Sequence, residues 1–154
     1  MRISIAAILV LTSMCATAGT REIPAAGLST NDIVAWLHDW GYRTEVVANH
    51  DGSTHVKTYY EGMNFGVYML DCKEGTCGSV QFSAGWATHG KFDTSQMNRW
   101  DRDHRWCRGY FDSTNDPWVE MDVDLTPGGS YELLTDQLKI FEDCIDSFRR
   151  MYQL

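Results

Sequence analysis

The run from Phe65 to Ala84 leaves this chain little freedom, because apolar and polar residues alternate on both sides of Cys72-Lys73-Glu74-Gly75-Thr76-Cys77. If the two cysteines stand opposite each other on antiparallel strands, Met69 faces Val80, Val67 faces Phe82 and Phe65 faces Ala84. Those residues make one continuous apolar face. The other face receives Leu70 with Ser79 and Tyr68 with Gln81, a wetter set. A slip of one residue would turn a strand's whole apolar set outward. Pattern and cysteine spacing therefore select one register and predict a Cys72–Cys77 disulfide. Its small loop adds stability by restricting the unfolded chain, at the low end of the ~2–4 kcal/mol usual for disulfides.

A disulfide needs an oxidising compartment, and the first residues supply the route. Met1-Arg2 is a short basic start, Ile3 to Met14 is almost uninterruptedly apolar, and Ala16-Thr17-Ala18 offers the small residues read by a signal peptidase. Residues 1–18 are expected to be a signal peptide cleaved after Ala18. The apolar run is short of the ~20 residues that span a bilayer, and Thr12-Ser13-Met14 is a poor lipobox for Cys15. The expected product is periplasmic or secreted, with no stable membrane anchor. Removing residues 1–18 takes away Arg2 and no acid, so the formal charge goes from −8 to −9. Such a surface repels phosphate backbones and disfavours nucleic acid as a partner. The remaining cysteines, Cys72, Cys77, Cys107 and Cys144, are an even set, which in this compartment favours disulfides over zinc.

Residues 19–27 lack periodicity and read as a leader into a single domain over 28–154. Ser29 caps a first helix, with Ile33, Trp36, Leu37 and Trp40 on one stripe and Gly41 as the stop. Strands follow from Tyr42 and from Val56, joined across Asp51-Gly52. After the Cys72–Cys77 hairpin, Asp93 caps a second helix, with Phe92 stapled onto Met97. From Trp106 two more strands run to Leu125, joined by a turn over 113–116 that sets Phe111 opposite Val119, Gly109 opposite Met121 and Cys107 opposite Val123. Beyond Pro127-Gly128-Gly129, Leu134, Leu138, Phe141, Ile145, Phe148 and Tyr152 form an amphipathic stripe. Cys144 lies at its edge, so a helix laid over the sheet brings it to Cys107. The fold class is α+β, an antiparallel sheet with helices packed on it, in the order α-β-β-β-β-α-β-β-α.

Three stretches carry a resemblance: DIVAWLHDWGYRTEV; EGMNFGVYMLDC with CGSVQFSAGW; and MNRWDRDHRWCRGYFD through DPWVEMDVDL. With the order of elements they resemble the YbjN domain family, bacterial proteins described as regulators of sensory transduction. The likeness covers roughly residues 28–154. It implies a fold similar to the dimeric chaperones of type III secretion and supplies no catalytic motif. The signal peptide and the four cysteines are departures that fit a periplasmic member.

Glu120, Asp122 and Asp124 alternate along one strand face, roughly 7 Å apart. A straight strand does not wrap a cation, so a solvated outer face is expected there rather than a calcium site. His50, Asp51 and His55 flank one turn without a second shell that would make zinc a function. No G-x-S-x-G, Walker loop, HExxH or dinucleotide fingerprint occurs. No enzyme and no cofactor are expected. Trp118 shares its parity with the acidic row and is the candidate anchor for a partner. The expected function is a non-enzymatic, protein-binding or chaperone-like regulatory module of the envelope. It would act on an unknown protein partner, with a homodimer as one form, through a face of Trp118, Glu120, Asp122 and Asp124. A small-molecule or lipid carrier and an unmarked small hydrolase are the alternatives.

Overall fold

The computed structural model describes residues 20–88, 90 and 92–154. The expected signal peptide, its cleavage point and His89 lie outside the described residues. In chain order the elements are β1 (Glu22–Ile23), α1 (Thr30–Asp39), β2 (Thr44–Ala48), β3 (Thr54–Tyr60), β4 (Met63–Lys73) and β5 (Thr76–Gly85). They continue with α2 (Thr94–Asp103), β6 (Arg108–Phe111), β7 (Pro117–Asp124), β8 (Gly129–Ser130) and α3 (Tyr131–Tyr152). The expected order is present, and two short strands are added to it. Part of the stretch expected as a leader is β1, which pairs with β8 and buries Ile23. Six strands form one antiparallel sheet in the order β2-β3-β4-β5-β7-β6.

The central hairpin has the register that its alternation dictates. Cys72 pairs with Cys77, Leu70 with Ser79, Met69 with Val80, Tyr68 with Gln81 and Val67 with Phe82. Cys72 and Cys77 are joined as a disulfide, and so are Cys107 and Cys144, whose Cα atoms are 6.5 Å apart. The β6–β7 hairpin differs from expectation by two residues. Phe111 pairs with Pro117 and Gly109 with Val119, because the turn is tighter than the expected 113–116. The Asp112 N–H donates to the Asp116 carbonyl, and Asn115 takes a left-handed conformation at φ 61° that asparagine tolerates. Asp112 organises the turn, accepting from the N–H groups of Thr114 and Asp116 at 2.9 Å each. An even shift keeps every side chain on its expected face, so only the partners change.

All three helices cover one face of the sheet. Ser29 and Asp32 form a reciprocal capping box at the start of α1, which buries Ile33, Trp36 and Leu37. The Trp36 indole N–H donates to Thr135 Oγ1 at 3.0 Å, tying α1 to α3. Phe141 of α3 stands 5.6 Å from Phe65 and 5.5 Å from Phe82, ring to ring, at the centre of the core. Leu134, Leu138, Ile145, Phe148 and Tyr152 are buried as the stripe requires. Each such side chain contributes about 1.5–3 kcal/mol through burial. Phe92, expected to pack on Met97, sets its ring edge-on to Tyr152 at 4.4 Å. Trp40 departs from the expected stripe. It is the C-cap of α1, where the backbone leaves helical phase, and it is 50% exposed beneath the Lys139 ammonium.

A buried carboxyl interrupts this apolar side. Glu142 of α3 accepts a hydrogen bond from the Tyr42 hydroxyl. Burial pushes its carboxyl above the ordinary value, and Asp143 and Asp146 push the same way. A folded value above the unfolded one means that stability is greatest below the ordinary glutamate range and falls as pH rises through the folded value. Glu142→Gln keeps an acceptor for Tyr42 and removes the charge. We expect its melting temperature to exceed the wild type's at neutral pH and to match it near about pH 4. An equal difference at both pH values would assign the effect to packing.

Candidate interaction surface on the outer sheet face

With α1, α2 and α3 on one side, the other face of the sheet carries no helix among the described residues. Its residues are those alternating with the core positions. The strand alternation predicts a solvated row of Glu120, Asp122 and Asp124 there, and for Glu120 the structure corrects this. β7 lies between β5 and β6, so neighbours on both sides close over the carboxylate. Glu120 Oε2 accepts from Arg108 Nη2 at 2.6 Å and Nε at 3.1 Å. Its Oε1 accepts from the Tyr110 hydroxyl at 2.9 Å and from Ser83 Oγ at 3.2 Å. The residue is 7% exposed. The ion pair holds the Arg108 guanidinium above its ordinary value, and burial together with Glu120 pushes the Tyr110 phenol up to about 12. A carboxylate with all these partners does not chelate an incoming ligand.

Asp122 and Asp124 remain exposed, Asp122 accepting from Gln81 Nε2 at 2.8 Å. Among the described residues, no group of three His, Cys, Asp or Glu is placed to share a metal ion. His55, one of the two turn histidines, bonds Asn49 Oδ1 through Nδ1 at 2.7 Å and stacks on Tyr68 with ring centres 4.6 Å apart.

Trp118 is half-buried rather than a projecting anchor. Its ring lies flat on Gly85, where an added Cβ would come within 2.5 Å of it, and its Nε1–H donates to Asp112 Oδ2 at 3.0 Å. Tyr68 covers Gly66 in the same way, at 2.6 Å from a would-be Cβ. Glycine on one strand makes room for an aromatic ring on the same face, and the result is a level surface. Trp118→Ala would lose the ring's contact with the sheet and the bond to the turn. We expect a loss of about 2 kcal/mol, below the 3–5 kcal/mol of a fully buried tryptophan. That corresponds to a fall of about 5–10 °C in melting temperature; an unchanged value would mean that the ring is dispensable to the fold.

A second feature has no local signature in the sequence. A groove of about 610 Å³ runs between the segment after α2 and the outer side of α3, lined by His104, Trp106, Ile140, Asp143, Ser147 and Arg150. Trp106, at 54%, is more exposed than Trp118, and its ring carries the Arg105 guanidinium at 4.6 Å. On the groove wall, His104 Nδ1 bonds the Trp100 carbonyl at 2.8 Å, which leaves Nε2 to accept from Ser147 Oγ at 2.6 Å. Trp100 Nε1–H donates to the same Oγ at 2.8 Å. Serine beside histidine invites a nucleophile reading, but the indole donor draws electron density from the oxygen. The triangle serves as a clasp between α2 and α3. Trp100 and His104 are one helical turn apart in sequence, whereas nothing local announces Ser147.

Comparison with known proteins agrees with the fold. The solved structure described as "YbjN, a putative transcription regulator from E. coli" superposes with a TM-score of 0.53 at 14% identity, over 80% of this chain and 93% of that one. An uncharacterized protein from Methanothermobacter thermautotrophicus gives a TM-score of 0.53 at 12% identity, over 82% of this chain and 98% of that one. At such identities the likeness is one of fold. No curated protein matches the sequence. The family model for YbjN, "Putative bacterial sensory transduction regulator", matches residues 29–153, and this chain belongs to that family.

Proposed function

We propose that this chain is a non-enzymatic regulatory module of the bacterial envelope that binds another polypeptide on the outer face of its sheet. The observation that carries the reading is the sheet itself. Six strands present a face that is free of helices among the described residues and levelled by Tyr68 and Trp118, with its most buried charge, Glu120, already satisfied. A level, broad surface with paired polar groups suits a macromolecular partner, whereas small ligands are held in concave pockets. The family description as a sensory-transduction regulator points the same way. Export is part of the proposal. It rests on the signal-peptide pattern of residues 1–18 and on the two paired sets of cysteines.

Photo-cross-linking from Gln81 and from Lys139 in periplasmic extract tests this. A defined adduct from Gln81 but not from Lys139, on the helical side, supports the outer face. Equal labelling from both sides, or none, would remove the basis for the reading. The groove beside Trp106 favours a second reading, a small-ligand carrier. It predicts a co-purified mass in native mass spectrometry that Trp106→Ala abolishes.

A further inference from the structure

Ile140, Asp143, Ser147 and Arg150 succeed one another at steps of three and four residues, so they share the face of α3 that lines the groove beside Trp106. Most polar groups along this groove are already engaged within the chain. Asp146, four residues before Arg150, turns instead to the Tyr60 hydroxyl and accepts from it at 3.2 Å. Asp103 is paired with Arg102 at 3.1 Å, and the Arg105 guanidinium lies over the Trp106 ring. Ser147 is closed between Trp100 and His104. Asp143 and Arg150 are the exceptions. Both are exposed, and among the described residues neither makes a hydrogen bond or an ion pair. The Trp106 Nε1–H likewise has no acceptor among them.

Two helical turns separate Asp143 from Arg150, about 10 Å along the axis at 1.5 Å per residue. We propose that this groove binds a short peptide with free termini, its ammonium at Asp143, its carboxylate at Arg150 and an apolar side chain against Trp106. The inference names the ligand class for the small-ligand reading of the groove and rests on that reading; the outer face of the sheet plays no part in it.

The length of the ligand follows from the spacing of the two charges. An extended chain advances at most about 3.3–3.6 Å per residue, so the ends of a tripeptide stand about 10 Å apart. A free amino acid cannot reach both charges, and a dipeptide falls one residue short. The groove's volume of about 610 Å³ lies within the ~300–1,000 Å³ of small-ligand sites. A guanidinium gives a carboxylate two parallel hydrogen bonds, which fixes the direction of the chain. Between the charges the floor is Ile140 and the buried Cys144, which calls for an apolar side chain in the middle of the ligand. The indole N–H of Trp106 is free to donate to a peptide carbonyl. A lipid tail would lie against two unpaired charges, which is costly. An internal segment of a protein has neither terminal charge.

Isothermal titration calorimetry on the disulfide-bonded chain, with the tripeptide alanyl-phenylalanyl-alanine, tests the site. The free tripeptide is expected to bind at one site, and N-acetylation or C-terminal amidation is each expected to weaken it about tenfold. In Asp143→Asn, acetylation should make no further difference while amidation still does; Arg150→Gln should show the reverse. Trp106→Ala is expected to abolish binding. All three side chains are exposed, and an unchanged melting temperature checks that each variant is folded. The dipeptide alanyl-phenylalanine is expected to bind at least about tenfold more weakly than the tripeptide. A wild type that ignores the tripeptide, takes the doubly blocked form or the dipeptide equally well, or keeps its response to acetylation in Asp143→Asn would overturn the inference. The blocked peptides read the wild type alone, so the result stands even if a variant fails to fold. A co-purified mass lost in Trp106→Ala, from a chain that ignores the tripeptide, would sink the peptide and leave the carrier reading intact.

Discussion

Replacing Cys107 and Cys144 together by alanine is expected to lower stability by about 4 kcal/mol and the melting temperature by about 10–15 °C. The bond spans 37 positions of sequence, so its removal returns a large loop to the unfolded ensemble. It also joins the strand end before β6 to the middle of α3, beside the hydrogen bonds that Trp100 and His104 make to Ser147. Both cysteines are buried, so alanine adds a small packing loss. The Cys72–Cys77 bond spans 5 positions within one hairpin already held by its own ladder. Its removal is expected to cost only about 2 kcal/mol. Thermal melts with and without reductant separate the two. The wild type under reductant should fall below the Cys107/Cys144 double variant without reductant by that smaller amount. A larger effect at Cys72–Cys77 would show that the hairpin tip limits stability.

Gly27→Ala is the second change with a large expected effect. Gly27 sits at φ 86°, and a Cβ there would stand 2.0 Å from the Cys77 carbonyl oxygen. That oxygen accepts from the Leu28 N–H at 3.2 Å, and the Cys77 N–H donates back to Leu28 at 2.8 Å. A methyl group therefore cannot be accommodated by turning a side chain. The segment entering α1 must leave the central hairpin, exposing Leu28, now 1% exposed. The backbone conformation alone costs about 1–2 kcal/mol for a non-glycine residue, and the displaced bridge and leucine bring the total to about 3–4 kcal/mol. Gly41→Ala is the control. It has φ 82° but nothing within 4 Å of the added carbon, so only the conformational part applies. A melting temperature that falls equally in the two variants would deny the clash with Cys77. Hydrogen exchange at the Leu28 and Cys77 amides should accelerate only in Gly27→Ala.

Where a feature depends on residues near in sequence or on a strict period, it was legible beforehand. The Ser29 cap needs only Asp32 three residues on. The stripe from Leu134 to Tyr152 needs only helical periodicity. The register of β4 on β5 needs the alternation of two strands joined by a short turn. The β6–β7 hairpin shows the limit of that logic. Parity assigned the faces, but the true partners were set by the turn, which Asn115 closes in a left-handed conformation so that the register moves by two residues and every face is kept.

The candidate site was legible only in part, and Glu120 shows why. Its alternation with Asp122 and Asp124 put it on the outer face, where it is. Whether an outer-face carboxylate meets water depends on which strands flank it, and strand order is decided by the whole sheet. With β6 at the edge, Arg108 and Tyr110 reach over β7 and enclose Glu120, while Asp122, beyond the last paired residue of β6, stays exposed. Trp40 differs from expectation for a similar reason, since it lies just past the end of α1, where periodicity no longer says which way a side chain points.

The sequence by itself determined the three helices, the six main strands, the central register and the class of fold, because each follows from short-range chemistry and hydrophobic period. Only the tertiary structure decided strand order, the enclosure of Glu120 and the clasp of Ser147 on His104. Those depend on residues far apart in the chain becoming neighbours, and no local pattern carries that distance.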